Sequence, residues 1–226
     1  MTPQTGHPDF ENLFRNSEDW LDPKKLATIF GPQKKRENGA KIFIGIAGGI
    51  AVYKVCTVVS RLAQAGAQVT VGMTQNATNF VTPLTFQALS GNPVYTSPWE
   101  HLESSDPQHI SLADRSDAVL IAPCTMNTLS DIVHGSTNSV VTLILSAINR
   151  TTTPVLIAPA MNDAMWAQPA NQRNVELAKS DGNHIVGPGS GWQACRHDGT
   201  GRMSEPADLI CALGQALIAK GLGSAN

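Results

Sequence analysis

The stretch KIFIGIAGGIAVYKVCTVVSRLAQAGAQVTVGM, residues 41–73, decides the fold of this chain. It begins with an apolar run over residues 42–47, typical of a buried strand, and passes through a two-glycine turn into a helix over residues 50–65. Gly66 ends that helix, and residues 67–73 form the next strand. Because strand, helix and strand follow one another so closely, we predict a βαβ unit with parallel strands and a right-handed crossover.

Beyond residue 73, short apolar runs continue to alternate with helical patterns. Strands are expected at residues 93–95, 117–122, 155–158 and 184–186, and helices at residues 83–89, 138–146, 170–178 and 206–219. This alternation predicts an α/β protein built on a doubly wound parallel sheet. The pattern indicates neither an internal repeat nor a second domain.

The beginning of the chain differs from the rest because it is polar and contains proline. Asp22 and Pro23 suit the N-cap and first position of a short helix that extends to Ile29. A weaker amphipathic pattern involves Phe10, Leu13 and Phe14. We predict an N-terminal arm, residues 1–39, that is partly helical or disordered and docks on its own domain or a neighbour. One domain over residues 40–226 follows it.

The composition predicts one sizeable core and argues against several classes of protein. The chain has 226 residues, of which 42% are hydrophobic, and its formal net charge of −2 offers no basic surface for nucleic acid or an anionic membrane. No uncharged apolar run approaches about 18 residues, the length of a membrane-spanning helix, and no secretory signal is visible. Four scattered cysteines without a C-x-x-C pair argue against a disulfide framework or a metal site. We therefore expect a cytoplasmic protein with reduced thiols and without metal, nucleic acid or membrane as a partner.

Neutral polar residues follow the long predicted strands where each strand ends. In a doubly wound sheet the carboxyl ends of the strands form the edge at which ligands bind. The glycine turn opens a helix whose free N–H groups and dipole favour a phosphate, and threonines nearby supply hydroxyls. These residues are Gly48, Gly49 and Ile50 after the first strand, Thr74 after the second, Thr125 to Thr128 after the third, and Ala160 and Asn162 after the fourth. Together they predict a site for one phosphorylated planar cofactor.

Each of these residues also has a purely structural interpretation. Two glycines form an ordinary tight turn, threonines at such positions are common helix caps, and Pro-x-x-Asn is a common turn sequence. The acidic ribose partner of a dinucleotide site and the lysine motif of a P-loop are both missing from the sequence. The residues alone therefore do not decide between a cofactor site and a purely structural role.

Two further residues suit proton chemistry. His109 precedes the third long strand, and histidine is the commonest general acid or base in enzymes. Cys195, followed by Arg196 and His197, lies in a glycine-rich segment, residues 189–203, that suits a lid better than a core. The structural alternatives are a surface histidine and an incidental small residue in a long loop.

Four segments of the chain form an ordered pattern. They are residues 48–54 (GGIAVYK), His109-Ile110 with residues 117–123, residues 159–166 (PAMNDAMW), and Ala194-Cys195 with residues 201–206 (GRMSEP). This pattern resembles the homo-oligomeric flavin-containing cysteine decarboxylases, and among them the phosphopantothenoylcysteine decarboxylases. The resemblance spans about residues 40–208, and its third segment is the most specific of the four.

The resemblance implies a three-layer, flavodoxin-like (Rossmann-like) fold, bound FMN, and a homo-oligomer, a trimer or a multiple of trimers, with the flavin near a subunit interface. By matching positions, it implies FMN contacts at Gly48, Gly49, Ile50, Thr74, Thr125, Met126, Asn127, Thr128 and Ala160. It implies substrate contacts at Asn162, Met165, Arg202 and Met203. The implied catalytic residues are His109 as acid/base of the oxidative half-reaction, Cys195 as proton donor of the reductive half, and Asn162 as the group that holds the substrate carboxylate.

The implied chemistry is coherent. Flavin oxidises the CH₂–S⁻ unit of a terminal cysteine to a thioaldehyde, whose C=S group accepts the electrons when CO₂ leaves. The enethiolate that remains is then reduced and protonated to a saturated thiol. The implied reaction converts (R)-4'-phospho-N-pantothenoylcysteine into 4'-phosphopantetheine in coenzyme A biosynthesis.

Two alternatives to this reaction are left open. One is oxidative decarboxylation of a peptide's C-terminal cysteine to an aminoenethiol, and the other is a non-catalytic flavin-fold protein that binds and regulates a partner. Cys195 favours the first reaction, because peptide enzymes can stop at the enethiol, and a pure binding protein needs no catalytic trio. Asp114 stands in a span where a basic residue is frequent in the family, and Arg196 stands where glycine is frequent. Asp114 and the N-terminal arm favour the peptide alternative.

Overall fold

A six-stranded parallel sheet forms the centre of the protein. The computed structural model describes residue 14 and residues 16–33, 36–99 and 108–222. The strands of this sheet are β1 (Lys41–Ile46), β2 (Gln68–Met73), β3 (Val94–Tyr95), β4 (Ala118–Cys124), β5 (Val155–Pro159) and β6 (His184–Ile185). They lie in the order β3-β2-β1-β4-β5-β6, and neighbouring strands are parallel. The predicted doubly wound sheet is therefore confirmed, in the Rossmann-like strand order.

Helices connect the strands, and a separate hairpin follows β6. The helices are α1 (Pro23–Phe30), α2 (Val52–Gln64), α3 (Pro83–Ser90), α4 (Gln108–Asp114), α5 (Met126–Val133), α6 (Val140–Ala147), α7 (Asp163–Ala167), α8 (Pro169–Ser180) and α9 (Pro206–Ala219). Short 3-10 helices span Ser17–Leu21 and Gln75–Asn79. The hairpin consists of the antiparallel strands β7 (Gly189–Trp192) and β8 (Asp198–Arg202). Among the residues that the structure describes, no helix has the length and apolar character that crossing a membrane requires.

The two faces of the sheet are buried in two different hydrophobic clusters. Successive side chains of a strand point to opposite faces. Ile42 and Ile44 pack in the cluster that contains the apolar residues of α1, α2 and α9. Phe43, between them, packs in the cluster that contains those of α5, α6 and α8. The predicted three-layer arrangement of helices, sheet and helices is confirmed.

A glycine inside β1 lets α6 approach the sheet closely. A Cβ atom on Gly45 would lie 2.6 Å from Cγ1 of Val141 and 2.7 Å from Cδ1 of Ile121. Both distances are far below van der Waals contact, so the sheet and α6 would have to separate to accept even alanine. The helix is thus held directly above the strand that leads into the glycine turn.

Part of the N-terminal arm belongs to the same core. The Asp22 side chain accepts a hydrogen bond from Lys24 N over 2.9 Å, and α1 begins at Pro23, as the sequence predicts. Leu26 and Phe30 are fully buried in the cluster beneath α2 and α9. The arm therefore docks on its own domain over these residues. The weaker helical pattern at Phe10 and Leu13 lies outside the described residues.

The long elements match the prediction, whereas several short ones were not predicted. Helix α9 has the expected bounds, and the expected strands and the other expected helices are present within two residues of their predicted ends. The sequence did not predict α4, α5 or α7, because helices of 5 to 8 residues contain few turns and these three, unlike α1 and α3, do not begin with a proline that marks their start. The glycine-rich segment was expected to be a lid loop, yet it forms β7 and β8 despite the low strand propensity of glycine.

Candidate active site

The carboxyl ends of four strands lie side by side. Backbone hydrogen bonds join them, from Ala47 N to Pro123 O (3.1 Å), from Thr74 N to Ile46 O (2.9 Å) and from Ala160 N to Cys124 O (2.9 Å). In the sheet, β1 and β4 are neighbours from which the chain winds in opposite directions, so a crevice opens between their ends. The structure therefore brings together the strand ends that the sequence assigned to one site.

The glycine turn after β1 is shaped by a close backbone contact. A Cβ atom on Gly48 would lie 2.6 Å from Cβ and 2.7 Å from the carbonyl carbon of Asn76, which leaves no room for a side chain. Around Gly49 the space is open, since a Cβ atom there would meet only Cγ2 of Thr125, at 3.7 Å. The turn is therefore tight on the side of the 3-10 helix and open towards the crevice.

Free hydrogen-bond donors point from this turn. Within the described residues, the backbone N–H groups of Gly49, Ile50 and Ala51 donate to no protein acceptor. Unpaired N–H groups at the start of a helix, together with the positive end of its dipole, form a binding site for a phosphate. The Ile50 side chain is 59% exposed although it is apolar, so it can cover a planar ring.

The threonines of the site act as helix caps. Thr74 Oγ1 accepts from Ala77 N over 3.3 Å, and Thr125 Oγ1 accepts from Thr128 N over 3.3 Å. Thr125 also donates to Oγ1 of the buried Thr128 over 3.1 Å. The structural interpretation of these residues is therefore correct. It does not exclude ligand contacts, because a hydroxyl has one donor and two acceptor positions.

Asn162 and Cys195 are far apart in sequence and adjacent in space. Asn162 caps α7 through a hydrogen bond from Ala164 N to its Oδ1 over 2.9 Å. Its Nδ2 atom donates to Sγ of Cys195 over 3.3 Å. We call residues 159–166 the Pro159 segment and residues 189–202 the Cys195 hairpin. The contact between Asn162 and Cys195 joins the two.

Cys195 lies in the tight turn between β7 and β8. Its thiol donates to Oε1 of the buried Gln193 over 3.3 Å, and Nε2 of His197 lies 3.7 Å from Sγ. Arg196 has a φ of 68°, the left-handed conformation that favours glycine. The turn therefore presents the thiol at its tip and stores strain at the next residue.

An ion pair lies directly beside the thiol. His197 Nε2 is 3.0 Å from Oδ1 of Asp163, which follows Asn162 in the Pro159 segment. The hydrogen bond to Asp163 raises the pKa of His197, and the same bond lowers the pKa of Asp163. Both shifts favour the charged pair over its neutral forms.

The Cys195 hairpin approaches the Pro159 segment as closely as backbone allows. Met161 N donates to Gly201 O over 2.9 Å, and a Cβ atom on Gly201 would lie 2.3 Å from Met161 O. A Cβ atom on Gly199 would lie 2.8 Å from Cβ of Asp163. Only glycine permits such contacts at both positions, which explains why the hairpin is rich in glycine.

Cys195 differs from the other three cysteines in its exposure. Cys124 is buried, Cys56 and Cys211 are half-buried, and Cys195 is exposed. Burial raises the pKa of Cys56, that of Cys211 to about 11, and that of Cys124 further still. The exposed thiol is the one placed beside the polar groups of the site.

The remaining predicted substrate residues lie in different surroundings. Met165 is 43% exposed beside the site, and Arg202 is half exposed, with Nη2 2.6 Å from Oε1 of Glu205. Met203, predicted to contact the substrate, is the most buried of these residues. Its side chain is only 2% exposed and packs in the core with α2 and α9, because side chains alternate along the extended chain after β8. Met203 therefore offers its backbone rather than its side chain, and its carbonyl accepts from buried Lys54 over 3.3 Å.

His109 lies at the beginning of α4, on the layer of helices that contains α6. A helix between parallel strands runs opposite to them, so its first turn lies at the carboxyl edge of the sheet. Within the described residues, no hydrogen bond joins His109 to Asn162 or Cys195. His109 thus lies at the edge where the site lies, without a hydrogen bond to the thiol.

Sequence reasoning missed Asp163, Gln193 and the Lys54–Glu205 ion pair, whose Nζ and Oε1 atoms are 2.8 Å apart. Asp163 was visible as the one charge of residues 159–166, and Lys54 lay inside the first segment of the pattern. Their partners could not be predicted, since they are 34 and 151 residues away in sequence.

The chain matches a known protein family over most of its length. The Flavoprotein family profile matches residues 31–217. The Coenzyme A biosynthesis bifunctional protein CoaBC of Bacillus subtilis (strain 168) is 42% identical over 173 residues, which are 76% of this chain and 42% of that protein. The chain thus spans less than half the length of this relative.

Two solved structures share the fold and part of the sequence. A cysteine-to-serine mutant of PPC decarboxylase, complexed with pantothenoylaminoethenethiol, is 26% identical with a TM-score of 0.71, over 77% of this chain and 96% of that one. The FMN-dependent cysteine decarboxylase SpaF is 28% identical with a TM-score of 0.70, over 81% of this chain and 98% of that one. Both likenesses cover nearly the whole of the solved chains.

Proposed function

Since this chain belongs to the Flavoprotein family, we propose that it is an FMN-dependent carboxy-lyase that decarboxylates a small molecule ending in cysteine. The substrate that fits best is (R)-4'-phospho-N-pantothenoylcysteine, and the product is 4'-phosphopantetheine. The similarity to CoaBC, a protein named for coenzyme A biosynthesis, and to PPC decarboxylase supports this substrate. The match covers 42% of CoaBC, so the proposal concerns the decarboxylation alone and no other reaction of that protein.

The residues at the carboxyl edge fit FMN. The free N–H groups of Gly49, Ile50 and Ala51 would hold its phosphate, in the open space beside Gly49. Further contacts are proposed at Gly48, Thr74, Thr125, Met126, Asn127, Thr128 and Ala160. Bound FMN supplies the two-electron oxidation of the substrate's CH₂–S unit and the later return of those electrons.

The contact between Asn162 Nδ2 and Cys195 Sγ, 3.3 Å long, is the observation that carries the proposal. An amide N–H is a suitable partner for a carboxylate, and Asn162 is fixed by its bond from Ala164 N. A carboxylate held there has its α-carbon close to the thiol. Cys195 can therefore protonate the carbon that has lost CO₂, which a site without a proton donor cannot do.

The other polar groups of the site have supporting roles in this proposal. His109, at the same edge of the sheet, would accept the proton of the substrate thiol and so hold its sulfur in the reactive form. Arg202 would supply a cation for the anionic substrate, with Glu205 fixing its guanidinium. Met165 would cover the apolar part of the bound molecule.

A peptide with a C-terminal cysteine is the second candidate substrate. SpaF, named only as an FMN-dependent cysteine decarboxylase, resembles this chain about as closely as PPC decarboxylase does, so a cysteine-ended substrate without the pantothenoyl group fits the likeness as well. Cys195 favours the first candidate, because a proton donor beside Asn162 serves the reductive half-reaction. A peptide enzyme can release the unsaturated product instead.

Product mass separates the two reactions. The yellow, FMN-loaded protein is incubated with phosphopantothenoylcysteine and, separately, with a peptide ending in cysteine. We expect loss of CO₂ alone from the first substrate. If CO₂ and two hydrogens are lost from it, the proposed product is wrong, and if only the peptide reacts, the proposed substrate is wrong.

A homo-oligomer, a trimer or a multiple of trimers, completes the proposal. Large apolar side chains are exposed around the carboxyl edge, namely Ile50 (59%), Tyr53 (60%), Phe80 (49%) and Leu84 (71%). Exposed apolar groups concentrated in one region are typical of a surface that another subunit covers. A flavin bound beside Ile50 would then lie near the subunit interface.

A further inference from the structure

The Cys195 hairpin is fastened to the Pro159 segment mainly by polar contacts. It has little apolar anchoring at its tip, since residues 194–198 are exposed and the Trp192 side chain is 62% exposed. Elements with few buried apolar contacts open locally at low cost. The position of Cys195 therefore depends on the polar contacts between the hairpin and the segment.

One of these contacts has no role in the reaction described above. The ion pair between Asp163 and His197 joins the residue after Asn162 to the second residue after Cys195, over 3.0 Å. The two residues that it connects are thus close chain neighbours of the two groups that the reaction requires. We propose that Asp163 and His197 are positioning residues whose ion pair acts as a latch, holding the Cys195 thiol against the Asn162 amide.

The geometry of the turn supports this assignment. Gln193 N donates to His197 O over 3.0 Å and Arg196 N donates to Gln193 O over 2.9 Å, so the turn from Gln193 to His197 moves as one unit. Arg196 strains that unit with its φ of 68°. An ion pair at His197 therefore also fixes the position of the thiol. Without the ion pair, the turn can relieve the strain at Arg196 by changing its conformation.

The latch depends on pH in a defined direction. Asp163 raises the pKa of His197, and Asp198 acts in the same direction, so the imidazolium persists above the usual range of histidine. The ion pair of the latch is therefore complete below the ordinary pKa of histidine and is lost as the pH rises through the raised value, which weakens the latch to a neutral hydrogen bond. On the acid side, the lowered pKa of Asp163 means that the latch is lost only as the pH falls through that value. The other charged groups of the hairpin are Arg196 and, at its base, Arg202, which pairs with Glu205.

Hydrogen exchange on the FMN-loaded protein tests the latch without reference to activity. The variants are His197→Ala, Asp163→Asn, and His197→Gln, whose amide can still donate to Asp163. We expect His197→Ala and Asp163→Asn to speed exchange of the Met161 amide and the hairpin amides about two- to fivefold near neutral pH, as for an exposed ion pair. His197→Gln should restore part of the protection, and the amides of β1 should not change.

The pH series and a control variant make the test specific. The difference between wild type and His197→Ala should shrink at a pH above the raised pKa of His197, where the neutral imidazole no longer forms an ion pair with Asp163. Glu176→Gln removes another exposed ion pair, 2.7 Å long, with Lys179 on α8, and should leave the hairpin unchanged. Equal exchange in wild type and His197→Ala at neutral pH would overturn the latch, as would a difference that is constant with pH.

Product analysis tests the positioning role, which rests on the proposed function. With phosphopantothenoylcysteine in air, where O₂ would take up the two electrons left on the flavin, His197→Ala should release a larger fraction of unsaturated enethiol product than wild type. His197→Gln should release a smaller fraction than His197→Ala. Faster hairpin exchange with an unchanged product fraction would overturn the positioning role. If the wild-type protein releases no CO₂, the proposed function fails, and the exchange data alone decide whether the latch exists.

Discussion

At the scale of single residues, the site consists of groups whose neighbours determine what they can do. Asn162 holds α7 with its oxygen and so directs its nitrogen to the Cys195 thiol. Gly48 is required by packing, whereas Gly49 faces open space. The role of each residue therefore follows from its contacts. Small substitutions at single positions can test these roles one at a time.

His109 is predicted to act in proton transfer and not in cofactor binding. It lies at the first turn of α4, at the carboxyl edge of the sheet. We expect His109→Asn to keep bound FMN, measured by its visible absorbance, and to lower turnover by 10²-fold or more, a range of about that size being usual for a general acid or base. Turnover equal to wild type would remove His109 from the mechanism.

Gly48→Ala is predicted to damage both the fold and the flavin site. The new Cβ would overlap Asn76, part of which is backbone and cannot move aside, so we expect a loss of about 1–3 kcal/mol in the free energy of unfolding and a loss of bound FMN. Gly49→Ala is the matched control for stability alone, since its Cβ would meet only Cγ2 of Thr125 at 3.7 Å, an ordinary contact, but would enter the space proposed for the phosphate. Denaturant unfolding and flavin absorbance measure the two effects. Equal stability of the two variants would show that Gly48 has no packing constraint.

At the scale of elements, the Cys195 hairpin is the part of the molecule under strain. Arg196→Gly should relieve the left-handed backbone, which costs a residue with a side chain about 1–2 kcal/mol, against the roughly 0.5–1 kcal/mol that the flexibility of glycine costs. We therefore expect slower hydrogen exchange in the hairpin or no change.

Arg173→Gly is the control for this prediction, because glycine should destabilise the backbone there. Arg173 is exposed inside helix α8, where glycine lowers stability by about 1 kcal/mol. If Arg196→Gly loosens its hairpin as Arg173→Gly loosens its helix, the turn is not strained.

Elements also show what the sequence could and could not predict. Residues 41–73 predicted the βαβ unit because long apolar runs and a glycine stop are strong local signals. Helices α5 and α7 are short and lie where the sequence predicted only a polar strand end. The pairing of Asp163 with His197 depends on how the hairpin folds back, which no local pattern encodes. The strand ends of the site were therefore predictable, and the contacts of Cys195 were not.

At the scale of the whole molecule, the single chain leaves apolar side chains exposed where the proposed flavin would bind. Analytical ultracentrifugation of the FMN-loaded protein should give a mass about three times the chain's 24.0 kDa, or a multiple of that value. Leu84→Lys places a charge on a side chain that is 71% exposed, and it should weaken the assembly without unfolding the subunit. A monomer that binds FMN fully would contradict the proposed oligomer.

The arm at the beginning of the chain is predicted to stabilise the same molecule. Leu26 is fully buried in the cluster beneath α2 and α9, so Leu26→Ala should lower the free energy of unfolding by about 2–5 kcal/mol. Lys24→Ala, on the exposed side of α1, is the control and should change stability by less than about 0.5 kcal/mol. Equal unfolding midpoints in denaturant for the two variants would mean that the arm does not contribute to the core.

The proton donor beside Asn162 is the centre of the proposed mechanism, and the mass of the product made by Cys195→Ser tests it most directly. With phosphopantothenoylcysteine in air, we expect wild type to release the saturated thiol and Cys195→Ser to accumulate a product lighter by two hydrogens, because the enethiolate is no longer protonated at carbon and the two electrons left on the flavin would pass to O₂. The relative solved with pantothenoylaminoethenethiol is itself a cysteine-to-serine mutant. Saturated product from Cys195→Ser at the wild-type rate would contradict the role of Cys195 and the function built on it.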